Sequence, residues 1–158
     1  MANHSTTSIY HSLESFLSEG KWKEADEETT RLMLQLGDQN RKGYLDVEDC
    51  RNFPKEELRT IDKLWLKYSN GKFGFSVQKE IYLEVGGKLN DYHYDSYKKM
   101  SDRIGWSDTE TAPRGYFPVT AYDSPRIINR GVGFVDKHSV NLSPKRKIWK
   151  GLYLFSLL

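Results

Sequence analysis

LRTIDKLWLKYSNGKFGFSVQ, Leu58 to Gln78, decides how this chain folds, because the spacing of its apolar residues changes halfway along. Leu58, Ile61, Leu64 or Trp65, and Tyr68 recur at the three-to-four-residue period of one helical face. Asn70-Gly71 then supplies two residues that tolerate the left-handed backbone a helix exit needs. Phe73 and Phe75 follow, separated by Gly74 alone. Ser76 offers a side-chain cap for a second helix, in which Val77, Ile81 and Val85 stack at four-residue spacing before Gly86-Gly87 ends it. The expected unit is a helical hairpin with two aromatic rings at its corner, where rings ordinarily plug a core.

Outward from the hairpin, the chain reads as helices. Ile9, Leu13, Phe16 and Leu17 form a stripe over residues 8–19, with Gly20 as exit. Residues 21–36 turn Trp22, Ala25, Leu32, Met33 and Leu36 inward and leave Glu27 and Arg31, four apart, on the wet side. Asp38 to Asp49, DQNRKGYLDVED, imitates a twelve-residue calcium loop, with Asp38, Asn40, Gly43, Leu45 and Asp46 at apt positions. Lys42 stands where an oxygen ligand belongs and Asp49 where a bidentate Glu belongs, so the expectation is a glycine turn followed by a short helix capped by Asp46. Pro54 opens the central helix in its first turn, where a missing N–H costs nothing. Asp95 begins another helix carrying Tyr97, Met100 and Ile104 and ending at Gly105. From Ser107 to Pro144 no period is sustained, and Pro113, Pro118, Pro125 and Pro144 punctuate a long irregular stretch. Ser143-Pro144 restarts a helix whose Ile148, Trp149, Leu152, Phe155 and Leu158 are expected to be buried.

With 158 residues the chain has material for one domain and one core, 37% hydrophobic against 29% charged. A formal net charge of +2, with acids and bases interleaved, gives no reason to expect nucleic acid as a partner. Cys50, the single cysteine, suits a reducing compartment. The opening MANHSTTSIYHS has neither a secretory nor a transit-peptide layout, so a bacterial cytoplasm or a plastid that encodes the chain is expected. The closing IWKGLYLFSLL is too short to span a bilayer and contains Lys150, which favours a buried helix and leaves room only for peripheral membrane association.

Catalysis has little to work with. His4, His11, His93 and His138 stand apart with no partner at metal-ligand spacing, which argues against a metal site. No GxSxG, HExxH or phosphate loop occurs, and the carboxylates read as solvent-face residues. A non-catalytic binding protein is the expected class.

Arg59-Thr60-Ile61-Asp62-Lys63-Leu64-Trp65, Lys67-Tyr68-Ser69-Asn70-Gly71 and Phe73-Gly74-Phe75-Ser76-Val77-Gln78 together resemble the signature of the genomes-uncoupled-four family, porphyrin-binding regulators of magnesium chelatase. The likeness extends upstream through Gly20-Lys21-Trp22-Lys23-Glu24-Ala25-Asp26 and Gly43-Tyr44-Leu45-Asp46. Downstream it takes in Asp102-Arg103-Ile104-Gly105-Trp106 and Ala112-Pro113-Arg114-Gly115, and it fades beyond Pro118. It implies an all-α bundle of six or seven helices forming a single domain with a concave ligand-binding face. The implied ligand is protoporphyrin IX or Mg-protoporphyrin IX, and the implied partner is the large porphyrin-binding subunit of magnesium chelatase.

By that resemblance Leu66 and Phe75 match platform positions, with Phe73 and Trp65 as support, Arg114 as a rim cation and Trp106 beside them. The helical period adds that Leu66 faces away from Leu64 and need not be core. Where relatives carry a longer, ring-rich segment between the Gly-Trp and Ala-Pro-Arg-Gly matches, this chain has only Ser107-Asp108-Thr109-Glu110-Thr111. One macrocycle face of about 300 Å² is worth roughly 7 kcal/mol at ~25 cal/mol per Å². Association itself costs about 4 to 15 kcal/mol, so weaker or altered porphyrin binding is expected. Tyr116, Phe117, Tyr122 and Phe134 are candidates for a replacement wall, and a reshaped wall admits an open-chain bilin as the alternative ligand. An interaction or sensory module that has kept the fold and lost the ligand is the other alternative.

Overall fold

The computed structural model describes residues 8–39, 45–89, 91, 93–105, 112–119 and 151–158. Among them are seven α-helices, no strand, and one isolated antiparallel bridge between Lys88 and Asp91. The helices are α1 (His11–Ser18), α2 (Trp22–Leu36), α3 (Val47–Arg51), α4 (Lys55–Tyr68), α5 (Phe75–Glu84), α6 (Tyr94–Arg103) and α7 (Gly151–Phe155). The all-α expectation holds, and no helix is long and apolar enough to cross a membrane among the described residues.

α1 packs on α2 and on α4 through the stripe read from the sequence, Leu13 and Leu17 being buried. Ile9 is a correction: it precedes α1, stays 45% exposed, and leaves the anchoring to Tyr10, whose hydroxyl donates to Glu57 of α4. Gly20, at φ +68°, turns the chain into α2, where Ala25, Leu32 and Met33 are buried and Trp22 and Leu36 partly so. Arg31 bonds not to Glu27 but to Glu28, at 2.6 and 2.8 Å, one residue closer around the helix.

α3 begins as expected at Asp46. Its carboxylate accepts from the Asp49 amide at 2.9 Å, and the Asp49 carboxylate in turn accepts from the Asp46 amide at 2.8 Å. Asp49 also accepts from Gln39 at 2.9 Å, so both acids at the end of the calcium-like stretch are engaged in local structure. Residues 40–44 lie outside the described set. Pro54 sits one residue earlier than expected, at the N-cap of α4.

α4 buries Leu58, Ile61 and Trp65, and ends where Asn70 and Gly71 both take left-handed backbone, φ +54° and +76°. Leu64 and Leu66 diverge as their spacing demands. Leu64 packs on a core built by α1 to α4 with Phe73 and Phe117, and Leu66 on a second core of Val77, Ile81, Tyr82, Met100, Ile104, Leu152 and Phe155. In α6, Met100 and the following Ile104 are buried, and Gly105 turns the chain at φ +73°. α7 docks on α3 and α5 with Leu152, Leu154 and Phe155 buried, as expected of the apolar C-terminus; Ile148 and Trp149 lie outside the described residues.

The start of α5 is the other correction. Gly74, not Ser76, is its N-cap, at φ +143° and ψ 159°, a region open almost solely to glycine. A Cβ there would stand 2.8 Å from Asp62 Oδ1, whereas one on Gly71 would meet nothing within 4 Å. Gly71→Ala is therefore expected to cost about 1 kcal/mol, the left-handed penalty alone, and Gly74→Ala about 3 kcal/mol or more. Equal shifts of the urea midpoint for the two variants would contradict this account.

Candidate ligand-binding site

The corner between α4 and α5 is held by a carboxylate that belongs to neither end of α5. Asp62, only 6% exposed, projects from α4, and its Oδ1 accepts from the Ser76 amide at 2.9 Å. The Phe75 amide and the Ser76 hydroxyl also donate to it. Asp62 thus caps α5 from outside the helix, satisfying donors that a helix N-terminus leaves without intrahelical partners. Burial pushes its carboxyl above the ordinary range, against the pull of these bonds.

Residues 112–119 form a strap across this corner. The Gly115 amide donates to Lys72 O at 2.8 Å, and the Gly74 amide to Phe117 O at 3.1 Å. From α5, the fully buried Gln78 spends both amide hydrogens on the strap, reaching Gly115 O at 3.0 Å and Pro118 O at 2.8 Å. From α2, Asp26 accepts from the Val119 amide at 2.9 Å. The approach is close: a Cβ on Gly115, which has φ +84°, would lie 2.6 Å from Ile81 Cδ1.

Beneath the strap lies a layer of rings. Trp65 stacks on Phe117 at 5.8 Å and 16°, Phe73 meets both edge-on, and Trp22 closes the far side at 5.3 Å from Phe73. The Trp65 indole donates to Thr29 at 3.0 Å, so its one polar atom is satisfied inside the core.

The site residues expected from the sequence therefore separate by depth. Phe73, Phe75 and Phe117 are 2%, 0% and 7% exposed, so in this conformation Phe75, expected as platform, and Phe73, expected as its support, both lie below the surface. Leu66 and Tyr116 are half-buried, Tyr116 lying edge-on to Phe117 at 4.8 Å. Arg114 is exposed and paired with Glu80 of α5. Trp106, Tyr122, Phe134 and the Ser107–Thr111 segment lie outside the described residues. Among the described residues, cavities also open elsewhere, such as one of about 270 Å³ lined by Val85, Lys88, His93 and Lys99 among others and one of about 210 Å³ beside Asp38, Glu48 and Phe53.

Sequence reasoning passed over four residues. Asp26 and Asp62 fell among the carboxylates read as solvent-facing and Gln78 was given no role, yet all three are buried and together they hold the corner. Their signal is phase: each follows directly on a buried apolar residue, Ala25, Ile61 and Val77. Lys72, the fourth, holds its ammonium 5.0 Å from the centroid of Phe73 and adds a cation at the corner.

A family model described as GUN4-like matches residues 3–125, and so takes in α1 to α6 and the strap. The chain belongs to this GUN4-like, or genomes-uncoupled-four, family. The ligand-free structure of Arabidopsis thaliana GUN4 superposes with a TM-score of 0.66 at 26% identity, covering 79% of this chain and 89% of that one. GUN4 from Chlamydomonas reinhardtii gives 0.61 at 27% identity, covering 76% and 86%. Among curated proteins, the chloroplastic tetrapyrrole-binding protein of Arabidopsis thaliana is 30% identical over 131 residues, 73% of this chain and 49% of its own length. A Ycf53-like protein of Synechocystis is 28% identical over 125 residues, 70% and 50% of the respective lengths. The chain thus spans about half the length of these curated relatives.

The GUN4-like corner makes two expectations. Gln78→Leu strands two buried carbonyls and should cost about 1–3 kcal/mol, with amide-exchange protection lost at Gly74 and Gly115 and kept in α2; uniform loss across the chain would instead mark Gln78 as ordinary core. For Asp62, the folded chain binds the proton more tightly than the unfolded one, because its pKa is raised on folding. Its ionisation therefore subtracts stability as pH rises through the folded-state pKa, and acid restores it. The stability gap between wild type and Asp62→Asn should accordingly move in favour of wild type as pH falls from neutral into the carboxylate range. Movement the other way would mean that the capping bonds outweigh burial.

Proposed function

We propose that this GUN4-like chain acts as a single, non-catalytic tetrapyrrole-binding domain that assists magnesium chelatase through the large porphyrin-binding subunit. Its ligand is protoporphyrin IX or Mg-protoporphyrin IX, and it works in a plastid or a cyanobacterial cytoplasm. The observation that carries the reading is the strapped corner itself: Tyr116 and Lys72 lie against a layer of buried rings, the strap also carries the exposed cation Arg114, and Leu66 is half-buried on the neighbouring side of α4 over the second core. A flat apolar disc with propionates at its edge calls for that combination of apolar surface and rim cations. The Arabidopsis relative named a tetrapyrrole-binding protein supports the ligand class. The family supports the chelatase role.

Titration with protoporphyrin IX, Mg-protoporphyrin IX and biliverdin, followed by tryptophan quenching, tests it. Saturable porphyrin binding is expected, with Trp65 and Trp22 in the floor as reporters. Leu66→Ser should weaken it about five-fold, through ~1 kcal/mol of lost apolar contact. Phe75→Ala is a poor probe, since emptying a fully buried ring site costs about 3–5 kcal/mol of stability. Preference for biliverdin would move the ligand to the bilin class. A second reading, an interaction module without a tetrapyrrole, draws on the burial of Phe73 and Phe75, and it would gain if none of the three pigments bound.

A further inference from the structure

Arg114 leaves the strap beside Gly115, which is pressed against Val77 and Ile81, and its guanidinium meets the Glu80 carboxylate of α5. The two side chains are 44% and 58% exposed, so the pair is open to water and held only as strongly as a surface ion pair. The cation placed to receive a ligand carboxylate is thus already neutralised by a side chain of the same corner, one anchored on a helix that the strap and Asp62 fix in place. We infer that Glu80 is a built-in competitor for Arg114. A ligand carboxylate seats on the guanidinium by displacing Glu80, and Glu80, still tethered to α5, then stands beside it as a like charge. The exchange makes the corner selective: one carboxylate at this edge is accepted, and a second on the same edge is repelled.

This deepens the tetrapyrrole reading and rests on it. Three porphyrins separate the two: protoporphyrin IX with two propionates, its uncharged dimethyl ester, and the tetracarboxylate coproporphyrin. Glu80→Gln should tighten protoporphyrin IX about two- to five-fold, the range of an exposed ion pair, tighten coproporphyrin by more, and leave the ester unchanged. In the Arg114→Gln background the part of the gain that comes from competition for the guanidinium should vanish, so that protoporphyrin IX gains less from Glu80→Gln than it does with Arg114 present. Glu80 and Arg114 are surface residues, so these variants keep the fold. An unchanged ratio of diacid to ester affinity in Glu80→Gln overturns the inference while the tetrapyrrole reading stands. Absence of binding by all three pigments, to wild type and variants alike, removes that reading and this inference with it.

Discussion

The Asp62 carboxylate is the constraint on which the rest of the corner depends. It enters the first turn of α5 from α4, and in doing so fixes the distance between the two helices at the point where the chain must reverse. Gly74 follows from it, because any side chain there would occupy the space of the carboxylate oxygen. Phe73 and Phe75 follow from Gly74. A residue in that extended, positive-φ conformation lets the chain run flat across the corner, and both flanking rings turn down into the core. A buried charge is a costly way to start a helix. It is retained where its donors are all supplied locally, and here Phe75 and Ser76 supply them.

How much of this was legible in the sequence depended on which physics set each feature. Periodic apolar burial was: Leu58, Ile61 and Trp65, then Val77 and Ile81, lie where the change of spacing puts them, and Asn70-Gly71 ends α4 as its residue types require. Local capping was legible at Asp46, whose partner lies three residues on. It failed at Ser76, because the cap of α5 comes from fourteen residues upstream and no local rule sees it. The same holds for Gln78 and Asp26, whose partners lie 37 to 93 residues away in the chain. Distance in sequence, not weakness of interaction, hid them. The family resemblance brought distant segments together, since the strings around Asp26, Asp62, Gly74, Gln78 and Gly115 all meet at the corner, yet it could not say that the Phe rings lie beneath the surface.

Buried polar brackets of this kind also explain why the strap can serve a site. A loop held by apolar contact alone would slide, since such contacts are non-directional. Gln78, Asp26, Lys72 O and the Gly74 amide instead fix four points along 115–119, and a fixed strap keeps Tyr116 and Arg114 at defined positions. Binding to a surface of that rigidity does not spend free energy on ordering it.

Rigidity alone does not make the corner tight. With Phe73, Phe75 and Phe117 buried, a tetrapyrrole seated as proposed would meet the flank of Leu66, the edge of Tyr116 and the rim cations, which is contact on one side. One-sided apolar contact lies near the lower end of what association costs, so the balance between holding and releasing the pigment falls to the charges at the rim. There a cation that must first exchange its own counter-ion contributes little net free energy to affinity and much to discrimination, because what it measures is the difference between two carboxylates.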